Sequence, residues 1–175
     1  MINKTLIVYA TKAGSTQEVA EFMGHILREN GIQADVLEVS EVENIDAYQA
    51  VILGSAIRLG NVLSPMVQFA QRHQHALNQR ATAFFTLCMT MKIDTPENRH
   101  IAERYLSPLW DVVEPISVGL FSGTIKPANL SRITRWIVKR DRTQKLSEGD
   151  FRDWAAIRAW TEALIPQLHH AILTL

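Results

Sequence analysis

Three short stretches hold the residue types best suited to chemistry. The first is Thr11-Lys12-Ala13-Gly14-Ser15-Thr16, with three hydroxyls, a cation and a glycine in six positions. It joins the apolar run Thr5 to Ala10 to a segment where Val19, Ala20, Met23, Ile26 and Leu27 recur at helical spacing and which stops at Asn30-Gly31. A loop entering a helix offers unpaired amides and a partial positive charge, and hydroxyl donors beside them suit a phosphate. Gly14 permits the bend and a close approach. Neither the Walker pattern, GxxxxGK followed by Ser or Thr, nor GxGxxG is present, which weakens nucleoside triphosphate and dinucleotide readings. A capped turn without a ligand accounts for the hexapeptide about as well, since Ser15 and Glu18 have the spacing of a capping box.

The second stretch is Gly54-Ser55-Ala56-Ile57-Arg58-Leu59-Gly60-Asn61, read as a loop after a strand. The third opens at Leu87-Cys88-Met89-Thr90 and continues to Met91, again after a strand. Cys88 reads as a small buried residue, and with one cysteine neither a disulfide framework nor a Cys-based zinc site is available. The six histidines show no metal spacing with carboxylate support, so no metal is expected. No Ser-His-Asp order can be assigned, and the catalytic residues stay unknown.

These stretches need elements to hold them. Apolar, β-branched runs at Thr5 to Ala10, Ala34 to Val39, Ala50 to Ser55, Thr82 to Cys88 and Ile116 to Phe121 read as strands. Helices fall between them. Ser64-Pro65 and Thr95-Pro96 each pair a capping hydroxyl with a proline at the first helical position. The first of these helices presents Met66, Phe69, Ala70, His73 and Leu77, the second Ile101, Ala102, Tyr105 and Leu109. A closing helix, about Phe151 to Leu173, presents Trp154, Ile157, Trp160, Leu164 and Leu168, with a kink at Pro166. Alternating strands and helices imply right-handed parallel crossovers, hence an α/β, doubly wound, five-stranded parallel sheet with helices on both faces. Ligands of such a sheet sit beyond the C-terminal strand ends, where all three stretches fall. Residues 122–149 stand outside the alternation and read as a helical insertion before the last helix.

Taken in that order, Thr-x-x-Gly-x-Thr after the first strand and the two later loops resemble the flavodoxin-like FMN proteins over essentially the whole chain. Within them, Ala56-Ile57-Arg58-Leu59-Gly60 is similar to the Ser-Ile-Arg-Tyr-Gly loop of menaquinone-dependent protoporphyrinogen IX dehydrogenases, with Leu59 in place of the aromatic. The basic insertion followed by Asp153-Trp154 matches that family's arrangement. The resemblance implies strand order 2-1-3-4-5. It implies FMN as cofactor, its phosphate held by Thr11, Lys12, Ala13, Gly14, Ser15 and Thr16. One side of the ring would be lined by Gly54 and by Ser55, Ala56, Ile57, Arg58, Leu59 and Gly60, and the other by Leu87, Cys88, Met89, Thr90 and Met91. It also implies oxidation of a porphyrinogen-like substrate with a quinone as acceptor, in porphyrin biosynthesis. Arg58 is then a candidate for flavin tuning or substrate positioning, or a solvated surface arginine. Met89 and Met91 contact a flat ring or fill loop gaps.

Composition sets the outer limits. With 175 residues, 47% hydrophobic and 21% charged, the chain has the size and composition of one globular domain spanning 1–175. No apolar stretch reaches a membrane-spanning length and no signal-peptide pattern opens the chain, so a cytoplasmic protein is expected. The net charge of zero conceals segregation. Residues 1–125 carry 9 basic and 13 acidic groups, residues 126–145 carry 7 and 1, and residues 146–175 carry 2 and 4. In the basic segment, helical spacing puts Leu130, Ile133, Trp136 and Ile137 on one side and Arg132, Arg135 and Lys139 on another. Arg132, Arg135, Trp136 and Lys139 therefore suit an anionic membrane surface or an anionic ligand, or a helix packed on the domain with a solvated cationic face. No nucleic-acid motif accompanies the charge, and none is expected as partner. A flavodoxin-type electron carrier fits less well: the chain is neutral and has no Trp or Tyr in residues 55–61 or 87–95. An NAD(P)H-quinone reductase and a flavin-free interaction domain are the other readings.

Overall fold

Strands buried on both faces read as unbroken apolar runs, and the first of them, β1 (Lys4–Ala10), shows why. Side chains alternate across a strand. Leu6, Val8 and Ala10 enter one hydrophobic cluster, and Ile7 and Tyr9 enter another on the opposite face. In the computed structural model, which describes residues 4–125 and 149–173, the elements that follow are α1 (Ser15–Glu29), β2 (Gln33–Glu38), β3 (Ala50–Arg58), β4 (Asn61–Val62), α2 (Ser64–Arg72), α3 (Gln74–Leu77), β5 (Ala81–Leu87), α4 (Pro96–Tyr105), α5 (Ser107–Trp110), β6 (Val118–Phe121), β7 (Thr124–Ile125), β8 (Gly149–Asp150) and α6 (Trp154–Leu173).

The five long strands lie in the order β2-β1-β3-β5-β6 and all pair in parallel. This is the expected order, with β4 added as a short antiparallel partner of β3. Helix α1 and helix α6 cover one face through Val19, Ala20, Met23, Leu27, Ile157, Leu164 and Leu168. The other face is covered by Met66, Phe69, Ala102, Leu106 and Leu109 from α2, α4 and α5 and the residues between them. Burial of these side chains, at roughly 1.5 to 3 kcal/mol each, is the main force holding helices to sheet.

Several local expectations need correction. Strand β3 runs three residues past Ser55, so Ala56, Ile57 and Arg58 belong to a hairpin and not to a loop. Ser15 does not cap α1; the N-cap is Gly14 and no capping-box bond forms, because Glu18 is drawn to Arg152. Ser64 likewise makes no cap bond, and Leu63 takes the N-cap position, whereas Thr95 accepts from the Asn98 amide as expected. The helix expected through Leu77 breaks at His73, and the one expected through Leu109 breaks at Leu106, since Pro108 has no N–H to donate four residues back, to Arg104 O, and its ring crowds that carbonyl. The insertion's described ends pair as the ribbon β7–β8. Its basic stretch, with Arg132, Arg135, Trp136 and Lys139, lies outside the described residues.

Candidate functional site

The β1–α1 connection is a tight crest. Thr11 Oγ1 accepts the Gly14 amide at 2.9 Å, and Gly14 sits at φ 87, a backbone state open to glycine. A Cβ placed on Gly14 would meet nothing within 4 Å, so the crest faces open space. The first backbone bond of α1 runs from the Glu18 amide to Gly14 O at 3.1 Å. The amides of Ser15, Thr16 and Gln17 therefore have no acceptor within the helix. Thr16 is fully buried and its Oγ1 finds no hydrogen-bond partner among the described residues. An anion seated on this crest would satisfy the amides, which is the fit a phosphate requires, and the partnerless Thr16 hydroxyl belongs to the same first turn.

The β3–β4 hairpin forms the second wall. Ile57 pairs with Val62 and Arg58 with Asn61, leaving Leu59-Gly60 as a two-residue turn. Both turn residues have positive φ, 51 and 74, as the favoured hairpin turn demands. For Leu59 this is a strained state, and its side chain is 94% exposed. Ser55 is spent on structure: buried, it accepts the Leu63 amide at 3.1 Å and donates to Ala56 O at 2.8 Å. The third wall is the turn at Met89–Lys92, which β5 enters through Cys88, whose amide donates to Phe121 O at 3.0 Å. Burial pushes the Cys88 thiol up from its ordinary pKa, so at neutral pH it is a protonated, unreactive group. Met91 is buried in the core, which gives it the gap-filling role, while Met89 stays at the cavity.

The three walls enclose one cavity of about 290 Å³ at the C-terminal ends of β1, β3 and β5. It brings together Lys12, Ala13 and Ser15 from the first loop, Ala56, Ile57, Arg58 and Leu59 from the hairpin, and Leu87, Cys88 and Met89 from the third. Thr11, Gly14, Thr16, Gly54, Ser55, Gly60 and Thr90 do not line it. Gly60 and Thr90 meet instead on Tyr105, whose hydroxyl lies 3.3 Å from Thr90 Oγ1 and whose ring lies 3.3 Å from a Cβ built on Gly60. Tyr105 thus ties the second wall to the third.

Sequence reasoning missed Leu63 and the trio Gly123, Thr124 and Ile125, which complete the lining. The trio falls in the stretch 122–149 that reads as an insertion. Its signal was position: it leaves the last strand at the same sheet end as the other loops. A larger concavity of about 500 Å³ lies at the far end of the sheet, beside Lys4, Arg28 and Asp35. Its charges are already engaged, Lys4 with Asp35 at 2.7 Å and Arg28 with Ala34 O at 3.0 Å.

Residues 6–150 match the family model described as flavodoxin domain. The chain is 27% identical over 165 residues to protoporphyrinogen IX dehydrogenase (quinone) of Escherichia coli K12, covering 91% of this chain and 90% of that relative. Two solved structures share the fold. Flavodoxin 1 of Bacillus cereus matches with TM-score 0.60 at 12% identity, over 95% of this chain and 99% of that one. Fusobacterium nucleatum flavodoxin bound to flavin mononucleotide matches with TM-score 0.57 at 12% identity, over the same shares. Among the described residues no helix is long and apolar enough to cross a membrane.

Proposed function

The chain belongs to the flavodoxin domain family, and from that premise we propose that it is a single-domain FMN-dependent oxidoreductase passing electrons from a porphyrinogen-like macrocycle to a quinone such as menaquinone. The observation that carries this reading is the convergence of three loops on one cavity, with an anion-ready crest at one end and apolar walls at the other. FMN supplies the two-electron redox chemistry when bound. The protein's part is to place it. The amides of Ser15, Thr16 and Gln17, with the hydroxyls of Thr11 and Thr16, hold the phosphate. Ala56, Ile57 and Leu59 from one wall and Leu87, Cys88 and Met89 from the other hold the ring and exclude water from it. Arg58 positions the substrate or tunes the flavin, and the +6 segment 126–145 brings the protein to an anionic membrane surface holding the quinone.

What supports an enzyme over an electron carrier is the relative named for that reaction, spanning nine-tenths of both chains, and cavity walls that hold no tryptophan or tyrosine among the described residues. The test is an anaerobic cycle. Protoporphyrinogen bleaches the flavin absorbance of FMN-loaded protein and menaquinone restores it. Failure of both half-reactions, with one-electron exchange intact, assigns the protein to the carriers. Purified protein that retains no FMN after desalting removes the reading altogether.

A further inference from the structure

Among the described residues, the cavity lining contains two cationic side chains, Lys12 and Arg58, and no aspartate or glutamate. The nearby carboxylates are engaged elsewhere. Glu18 bonds Arg152 at 2.6 Å, Asp150 bonds the same guanidinium at 2.6 Å, Asp94 bonds Arg99 at 2.6 Å through both oxygens, and Asp153 accepts the Ala156 amide at 2.9 Å. The two cations come from different loops, one following β1 and one ending β3, so they approach the cavity independently. Around them the walls are apolar: Ala56, Ile57, Leu59, Leu63, Leu87 and Met89. A charge beside an apolar, water-poor cavity acts on its contents more strongly than one in open solvent.

We propose that Lys12 and Arg58 set the electron affinity of the flavin, so that the cavity binds the reduced ring more tightly than the oxidised ring. This rests on the FMN reading above. In that reading the macrocyclic donor loses two electrons and two protons. The ring takes both electrons and one proton, which leaves it one unit more negative, and the other proton goes to solvent. The electrons, with the ring's proton and one from solvent, then reduce the quinone to the quinol. Two cations with no carboxylate beside them in the described lining favour the more negative form, which raises the two-electron potential. A raised potential suits a flavin that must accept electrons from an organic donor and give them only to a quinone; it does not suit a low-potential carrier. Both side chains are exposed, so the effect is screened by salt.

The test is potentiometry of FMN-loaded protein against a reference dye, with the affinities for oxidised and reduced FMN titrated separately. The wild-type potential lies above that of free FMN. Arg58→Gln and Lys12→Gln each weaken reduced FMN about tenfold more than oxidised FMN, which for a two-electron couple lowers the potential by about 30 mV. Arg58→Lys keeps the wild-type value, and the Arg58→Gln difference shrinks as salt rises. A wild-type potential at or below that of free FMN overturns the proposal, as do two glutamine variants with unchanged potentials. A variant that releases FMN on desalting is still read by titration with excess FMN in both redox states. Wild-type protein with no affinity for FMN in either state refutes the FMN reading itself, a different result from bound flavin with an unmoved potential.

Discussion

Replacing Thr16 with valine should move stability and cofactor affinity in opposite directions, and the structure says by how much. Thr16 is fully buried and its hydroxyl has no partner among the described residues. An unsatisfied buried hydroxyl costs about 1 to 3 kcal/mol. Valine has nearly the same shape, shares the β-branch and leaves no polar atom behind, so helix propensity and packing barely change. Protein without FMN should therefore gain about 1 to 2 kcal/mol. For a chain of this size that raises the melting temperature by about 2 to 8 °C. With FMN the sign reverses. A hydrogen bond to a charged phosphate contributes about 1.5 to 3 kcal/mol, and its loss weakens FMN about 10-fold to 150-fold. Calorimetry on the FMN-stripped protein measures the first quantity and quenching of FMN fluorescence the second. Thr16→Ser, which keeps the hydroxyl, should keep most of the affinity. A valine variant less stable than wild type without FMN, or one binding FMN within twofold of wild type, refutes the assignment of this hydroxyl to the phosphate.

Other residues carry predictions of the same kind. The Arg152 side chain is 4% exposed, bonds Asp150 twice and Glu18 once, and lies over the Trp154 ring; Arg152→Met should cost about 2 kcal/mol, since both carboxylates are half exposed and rehydrate. A fall in melting temperature of about 4 to 8 °C is expected, and one below 1 °C would remove Arg152 as a structural tie. Leu59→Gly relieves the φ 51 strain without losing packing and should add about 0.5 to 1 kcal/mol in urea denaturation, while weakening FMN by uncovering the ring. Cys88 has its folded pKa raised, so the neutral-thiol contribution is complete below the unfolded thiol range and is lost as pH rises from there through the folded value. Native protein should resist iodoacetamide at pH 8 far longer than urea-unfolded protein, and equal rates would contradict the burial.

What was legible in the sequence and what was not divide along a physical line. The sheet order and both helical layers follow from apolar runs and 3.6-residue spacing, signals that many residues share. Boundaries rest on one or two residues, and there local rules competed with tertiary contacts. Ser15 and Glu18 have capping-box spacing, yet Glu18 forms a better bond with Arg152, whose sequence position is 134 residues away. Arg58 reads as a loop residue because Leu59 and Gly60 follow it, but pairing with Asn61 keeps it in a strand. Ser55 looked like a ring-lining hydroxyl and is instead the acceptor that fixes the hairpin to Leu63. Ten of the eighteen residues expected around the cofactor line the cavity. Of the others, Ser55 and Thr90 hold the walls through bonds to Leu63 and Tyr105 that no local spacing reveals.

The same kind of long-range bond ties the described ends of the insertion to the cavity. The basic segment is rooted in a ribbon, β7 with β8, whose first strand contributes Thr124 and Ile125 to the cavity lining. Its other root is tied to the same place: the Phe151 amide donates to Gly123 O at 3.2 Å, and Arg152 reaches Glu18 in the first turn of α1, just past the crest. Ile125 and Gly149, the described residues that flank the basic stretch, are therefore held at the cavity end of the sheet. Glu18 and Asp150 share the one Arg152 guanidinium, each at 2.6 Å, so a single cation ties the β8 end to the first turn of α1. Removing Arg152 should then loosen the β8 end from the start of α1 as well as cost stability.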